Sequence, residues 1–164
     1  METAVKKTTL LAFIVLAAAP RAGVAGDDVI NGEPVPFKPA PAESTLLMRH
    51  VEGGTEYVVF RSARGPGLRS PIHRHTSPAY SCVVEGEATV YMEGSAPHRY
   101  VAGECFWMPS GVRMANVNTG SKRVVLYDNF SLPVGTPYWQ IDEDMAKHLD
   151  HQWDAPKTAP KTTP

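Results

Sequence analysis

The sequence predicts an all-β fold, an antiparallel barrel or sandwich, on three observations. Runs rich in β-branched and aromatic residues recur between Thr55 and Phe130 at about the 8–12-residue spacing of such folds. Glycine or proline closes nearly every run, at Gly65-Pro66-Gly67, Gly86, Gly94, Gly103, Pro109-Ser110-Gly111 and Gly120. A helical period shows only once, near the end of the chain.

In order, the expected strands are Thr55–Phe60, Tyr80–Glu85, Ala88–Met92, His98–Val101, Cys105–Met108, Val112–Val117 and Arg123–Phe130. The last is the strongest, Arg-Val-Val-Leu-Tyr-Asp-Asn-Phe. After Pro137, Ile141, Met145 and Leu149 recur every fourth residue behind Asp142, Glu143 and Asp144. Acids at the start and one apolar stripe predict a short amphipathic C-terminal helix.

The ends of the 164-residue chain read differently. Lys6 and Lys7 precede the apolar run Leu10–Ala19, Pro20 breaks it, and Gly23-Val24-Ala25 offers the small residues that a signal peptidase reads. A secretory signal over 1–25, cleaved after Ala25, is expected. A spanning helix needs about 20 apolar residues, more than this run supplies, and no cysteine near the cleavage point offers a lipid anchor. The mature protein is expected to be soluble and exported, to a periplasm or the medium. Residues 26–43 carry Pro34, Pro36, Pro39 and Pro41 and read as an extended arm. Residues 44–153 form the one domain, large enough for a core. Residues 154–164 are Pro, Thr and Lys, a disordered tail. The formal charge of −1 becomes about −3 without the signal. A mildly acidic domain lacking a basic patch is a poor binder of nucleic acid or anionic membrane.

The chemistry concentrates between Gly67 and Asn118. His73 and His75 form an H-x-H pair on an expected strand. Strand side chains alternate, so both imidazoles share one face and can grip one transition metal. The run Gly67-x5-His73-x-His75, followed by Glu85-Gly86-Glu87, resembles the first motif of the cupin superfamily. Gly103-x5-Pro109-x-Gly111-x2-Met114-x3-Asn118 resembles the second. The likeness runs from about Thr55 to Phe130 and implies a jelly-roll barrel. It also implies that His73 and His75 are metal ligands. A cupin's third ligand, a glutamate four residues on, is replaced by Ala79, and its last, a histidine, by Met114.

Three readings of this set stand. A soft site of His73, His75 and Met114, with Tyr80 as a possible phenolate, suits copper better than iron or manganese. Alternatively, the histidines hold a metal with open positions for a small organic substrate, as in a dioxygenase-like or isomerase-like enzyme. In the third reading the barrel is a metal-free pocket for a small molecule. Arg69, Arg74 and Arg113 lie near the motif ends, where an arginine can clamp a carboxylate. His50 and His98 read as solvated, and His148 and His151 as a wet helix face.

Cys82 and Cys105 can form one bridge in an oxidising compartment. If Ala79 points inward without a bulge, Cys82 points outward and is no ligand. A bulge at Pro78-Ala79 would instead turn Tyr80 and Cys82 inward. Buried or bridged structural cysteines are expected. The arm and the apolar helix face make a homodimer an open expectation, beside a monomer whose arm folds back on its own sheet.

Overall fold

A computed structural model describes residues 28–148. The expected signal and tail, Leu149 and His151 lie outside the described residues. In chain order the strands are β1 (Val29–Ile30), β2 (Glu33–Pro34), β3 (Lys38–Pro39), β4 (Glu43–Glu52), β5 (Thr55–Arg64), β6 (Leu68–Arg69) and β7 (His73–His75). They continue as β8 (Ala79–Glu85), β9 (Glu87–Met92), β10 (His98–Val101), β11 (Cys105–Met108), β12 (Met114–Val117), β13 (Val124–Pro133) and β14 (Trp139–Ile141).

Two sheets face each other in the jelly-roll arrangement. One runs β11-β8-β13-β5-β4, all antiparallel. The other runs β10-β9-β12-β6-β3, with β7 joining β12 and β14 pairing β7. The strongest expected strand, β13, sits centrally, paired along its whole length with β5 and on its other side with β8.

Alternation sets the interior. On β8, Ala79, Ser81 and Val83 are buried while Tyr80 and Val84 are exposed. Leu126, Phe130 and Leu132 of β13 meet Val58, Ala79, Val83 and Met114 in one apolar cluster. Each such side chain contributes about 1.5–3 kcal/mol on burial. The β8–β9 link turns at Gly86, with φ of +73°. A Cβ there would stand 2.6 Å from the Arg123 carbonyl oxygen, so only glycine fits.

The arm is more than an extended leader. β1 and β2 form a hairpin, and β3 adds parallel to β6. Ile30 and Val35 cover Ile72, Ala115 and Val117 on the far side of the second sheet. Arg69, wholly buried, donates to the Phe37 carbonyl and grips Glu143 through both terminal nitrogens, at 2.6 and 2.5 Å. Glu143 also accepts from the Ile72 amide at 2.9 Å. One ion pair therefore ties the arm, β6, the entry to β7 and the C-terminal segment together.

The C-terminal helix is a single 3-10 turn, Met145–Lys147, capped by Asp144. Ile141 does not belong to it. It ends β14, with its Cα opposite His73. Its apolar side chain serves a sheet, and the four-residue spacing to Met145 is incidental. His98 lies within β10 rather than in a loop, and stays exposed.

Cys82 and Cys105 are bridged. They are direct partners across β8 and β11, with Cα atoms 3.9 Å apart, closer than the usual range. The Val83 amide donates to the Glu104 carbonyl, which makes them a non-hydrogen-bonded pair, where opposed side chains stand nearest. The bridge closes a 23-residue separation, and its loss is expected to cost about 3 kcal/mol. Thermal melts with and without reductant, set against a Cys82→Ser/Cys105→Ser variant, check this. Coincident melts would show the bridge to be energetically idle.

Candidate metal centre

β7 places both histidines on the barrel's inner side and sends Arg74 out to Asp142 at 2.5 Å. His75 is 4% exposed. The two Nε2 atoms stand 3.2 Å apart. His73 Nδ1 donates to the Pro71 carbonyl at 2.8 Å, which leaves its Nε2 with a bare lone pair. His75 has no comfortable tautomer. A proton on its Nε2 would bridge to His73 but leave a bare, buried Nδ1 with no partner. A proton on Nδ1, where the Tyr138 main chain lies alongside, would set two lone pairs against each other.

Both rings are held neutral. Burial pushes His75 down to about 3, and His73 beside it adds to the shift. Burial also lowers His73, the Pro71 carbonyl opposes this, and the Arg64 charge lowers it further. Neutral imidazoles are the form that ligates metal. Two ligand nitrogens, each about 2.0–2.1 Å from one ion, stand about 3 Å apart at angles near tetrahedral. A cation shared by the two Nε2 atoms would also allow His75 its Nδ1 proton. The pair therefore fits a metal.

The other expected residues separate. Met114 is fully buried, and its Cα lies opposite His73 on β12. Its thioether belongs to the interior cluster with Ala79 and Phe130, and Phe130 in turn packs on the His75 ring at 5.4 Å. Tyr80 is not brought to the histidines. No bulge occurs at Ala79, the register to β13 runs unbroken from Ala79 to Cys82, and Tyr80 stands 47% exposed. It lines a shallow outer cleft with Met48, Tyr57 and Trp107. Among the described residues, no three His, Cys, Asp or Glu side chains converge as a metal site. The loss of the cupin carboxylate at Ala79 is thus not made good from elsewhere in the described residues.

The three arginines near the motif ends are engaged by carboxylates of the chain itself. Arg69 is consumed by Glu143, while Arg74 and Arg113 lie on Asp142. Sequence reasoning missed a different group, Arg64. At the end of β5 it reaches across to β12 and donates to Asn116 Oδ1 at 2.6 Å. Near it, Asp128 accepts from Ser62 and Ser81 at 2.5 and 2.6 Å. The signal was present in the strand period, since Val58, Phe60, Ser62 and Arg64 share one face of β5.

Facing sheets of jelly-roll order, closed around paired histidines on the inner face, define a cupin-type barrel. The cupin domain family matches residues 62–130, which together with the fold supports membership of the cupin superfamily. A conserved Klebsiella pneumoniae protein with a double-stranded β-helix domain is similar at 16% identity, covering 66% of this chain and 91% of that one, with a TM-score of 0.52. The DMSP lyase DddQ of Ruegeria pomeroyi is similar at 22% identity and a TM-score of 0.51. There the match covers 62% of this chain and 51% of that one, so it spans about half the lyase. At these identities the likeness is one of fold. No curated protein matches the sequence.

Proposed function

We propose that the protein is an exported metal-binding cupin whose barrel holds one soft transition metal, copper first, on His73 and His75 with Met114 beside them. The facing Nε2 atoms carry this reading, because neither tautomer of His75 gives both of its ring nitrogens a protein hydrogen bond among the described residues, and a shared cation would. Bound there, a copper ion would supply Lewis acidity or a one-electron couple. The chain's own part is to present two neutral imidazoles, His73 oriented by the Pro71 carbonyl, against a wall of Phe130, Tyr138 and Trp139. Imidazole with thioether favours copper over iron or manganese, which prefer carboxylate. The Cys82–Cys105 bridge supports export, since such bridges persist in oxidising compartments.

The test is anaerobic titration of the apo protein with Cu(I) against a chromophoric chelator. One ion per chain is expected, with His73→Ala and His75→Ala abolishing uptake. Met114→Leu is expected to weaken Cu(I) about tenfold or more and to leave Zn(II) nearly unchanged. Wild-type protein that leaves all the copper on the chelator would overturn the proposal, and Met114→Leu with undiminished affinity would remove the thioether from it.

A further inference from the structure

Two arginines near the barrel, Arg69 wholly buried and Arg64 half-buried, are treated oppositely. Arg69 is satisfied on every side by Glu143, the Phe37 carbonyl and the Ser70 carbonyl. Arg64 makes no ion pair among the described residues, and its one side-chain partner there is the neutral Asn116 amide. Its Nε is buried without any hydrogen-bond partner. Burial draws Arg64 down to about 10, so it remains a cation at neutral pH. A cation with a buried, unpartnered donor is costly, and this one lies near the histidines: its partner Asn116 shares a face of β12 with Met114, whose Cα is opposite His73.

Asp128 lies near Arg64 without forming an ion pair with it. Both Asp128 oxygens are taken by serine hydroxyls. Asp128 does set the charge that the site can accept. Asp128 offsets part of the guanidinium's charge, so a monoanion can pair with the free part of the fork, whereas a dianion would meet stronger repulsion from the carboxylate. A carboxylate matches the remaining fork of Arg64, whose Nη1 side is already committed to Asn116. The rings of Phe60, Phe130, Tyr138 and Trp139 pack edge to face or tilted against one another in the same interior and offer an apolar wall to the rest of such a molecule.

We infer that Arg64, oriented by Asn116, is the seat for a small organic monocarboxylate inside the barrel, next to the histidine pair. This deepens the metal-site reading by naming the ligand class, and it rests on that reading only for the ligand's position beside a metal. The seat itself belongs to the chain and needs no ion.

The probe is benzoate, added to the metal-free protein with arginine Nε–H resonances followed by 15N–1H NMR. The Arg64 Nε–H signal is expected to move and saturate with benzoate. Benzamide and inorganic phosphate are expected to bind at least about tenfold more weakly, the worth of one charge-assisted hydrogen bond. Arg64→Gln is expected to abolish benzoate binding, while Arg64→Lys retains a weakened site, and the Cys82–Cys105 bridge reports that each variant folds. An unmoved Arg64 signal overturns the inference, as does benzamide binding equal to benzoate. Tighter binding of phosphate would overturn the carboxylate assignment. Benzoate binding in a protein that takes up no metal would retire the metal reading and keep the seat, whereas copper binding with Arg64 silent would do the reverse.

Discussion

Glu143→Gln is expected to destabilise the fold by about 3–5 kcal/mol, the cost of breaking a buried ion pair from one side. Arg69 would keep its charge with no route to water, since both side chains are almost wholly buried. The loss would reach further than one contact. Glu143 holds the Ile72 amide one residue before His73, and Arg69 holds the arm through Phe37. Metal affinity is therefore expected to fall along with stability. The double variant Arg69→Met/Glu143→Leu is expected to recover much of the loss, because well-packed apolar replacements of buried pairs are often neutral. Chemical denaturation of the wild type, both single variants and the double variant measures the coupling. A Glu143→Gln protein within about 0.5 kcal/mol of wild type would show that the pair is solvated and the clamp illusory.

Acid is expected to unfold the metal-free protein through His75. Its folded pKa is pushed from 6.5 to about 3, so between those values the unfolded chain binds the extra proton. Stability tied to this group is complete above the unfolded value and is lost as pH falls from about 6.5 toward 3. Between pH 7 and pH 4 this amounts to about 3 kcal/mol, or more than about 10 °C in Tm. Paired carboxylates also titrate in acid, so the informative quantity is the difference from His75→Leu, whose melting temperature should fall less steeply. Parallel curves for the two proteins would place the His75 ring in contact with water.

Much of the barrel was legible because its strands announce themselves. β8 through β13 carry alternating or continuous apolar runs with glycine or proline at their ends, and the observed bounds differ from the expected ones by a few residues. β4 was not legible. All ten of its residues are exposed on an outer edge, so Leu46, Met48 and Val51 mix with Arg49, His50 and Glu52 and no period marks a buried face. β6, β7 and β14 are too short to show a period, and they exist because β12 and neighbouring strands pair with them. Ile141 reads as helical in the sequence because one-dimensional spacing cannot distinguish a strand end followed by a turn from a helix start.

The site was half legible. H-x-H on a strand fixes two imidazoles on one face whatever surrounds them, and the structure brings them together. The parity that turns Ala79 inward also turns Tyr80 out, so its distance from the histidines follows from alternation once no bulge intervenes. Arg64 precedes Gly65-Pro66-Gly67 and looks like a turn residue. Its reach to Asn116 depends on the opposite sheet, 52 residues along the chain, and local pattern carries no trace of that.

The measurement that tests the metal site most directly is the metal content of the protein isolated from the producing cell without chelators or a histidine tag. Near-stoichiometric copper, absent from His73→Ala and depleted in Met114→Leu, is the expected result. A folded protein that emerges metal-free and refuses added copper would contradict the proposed function, as would iron or manganese held undiminished in Met114→Leu.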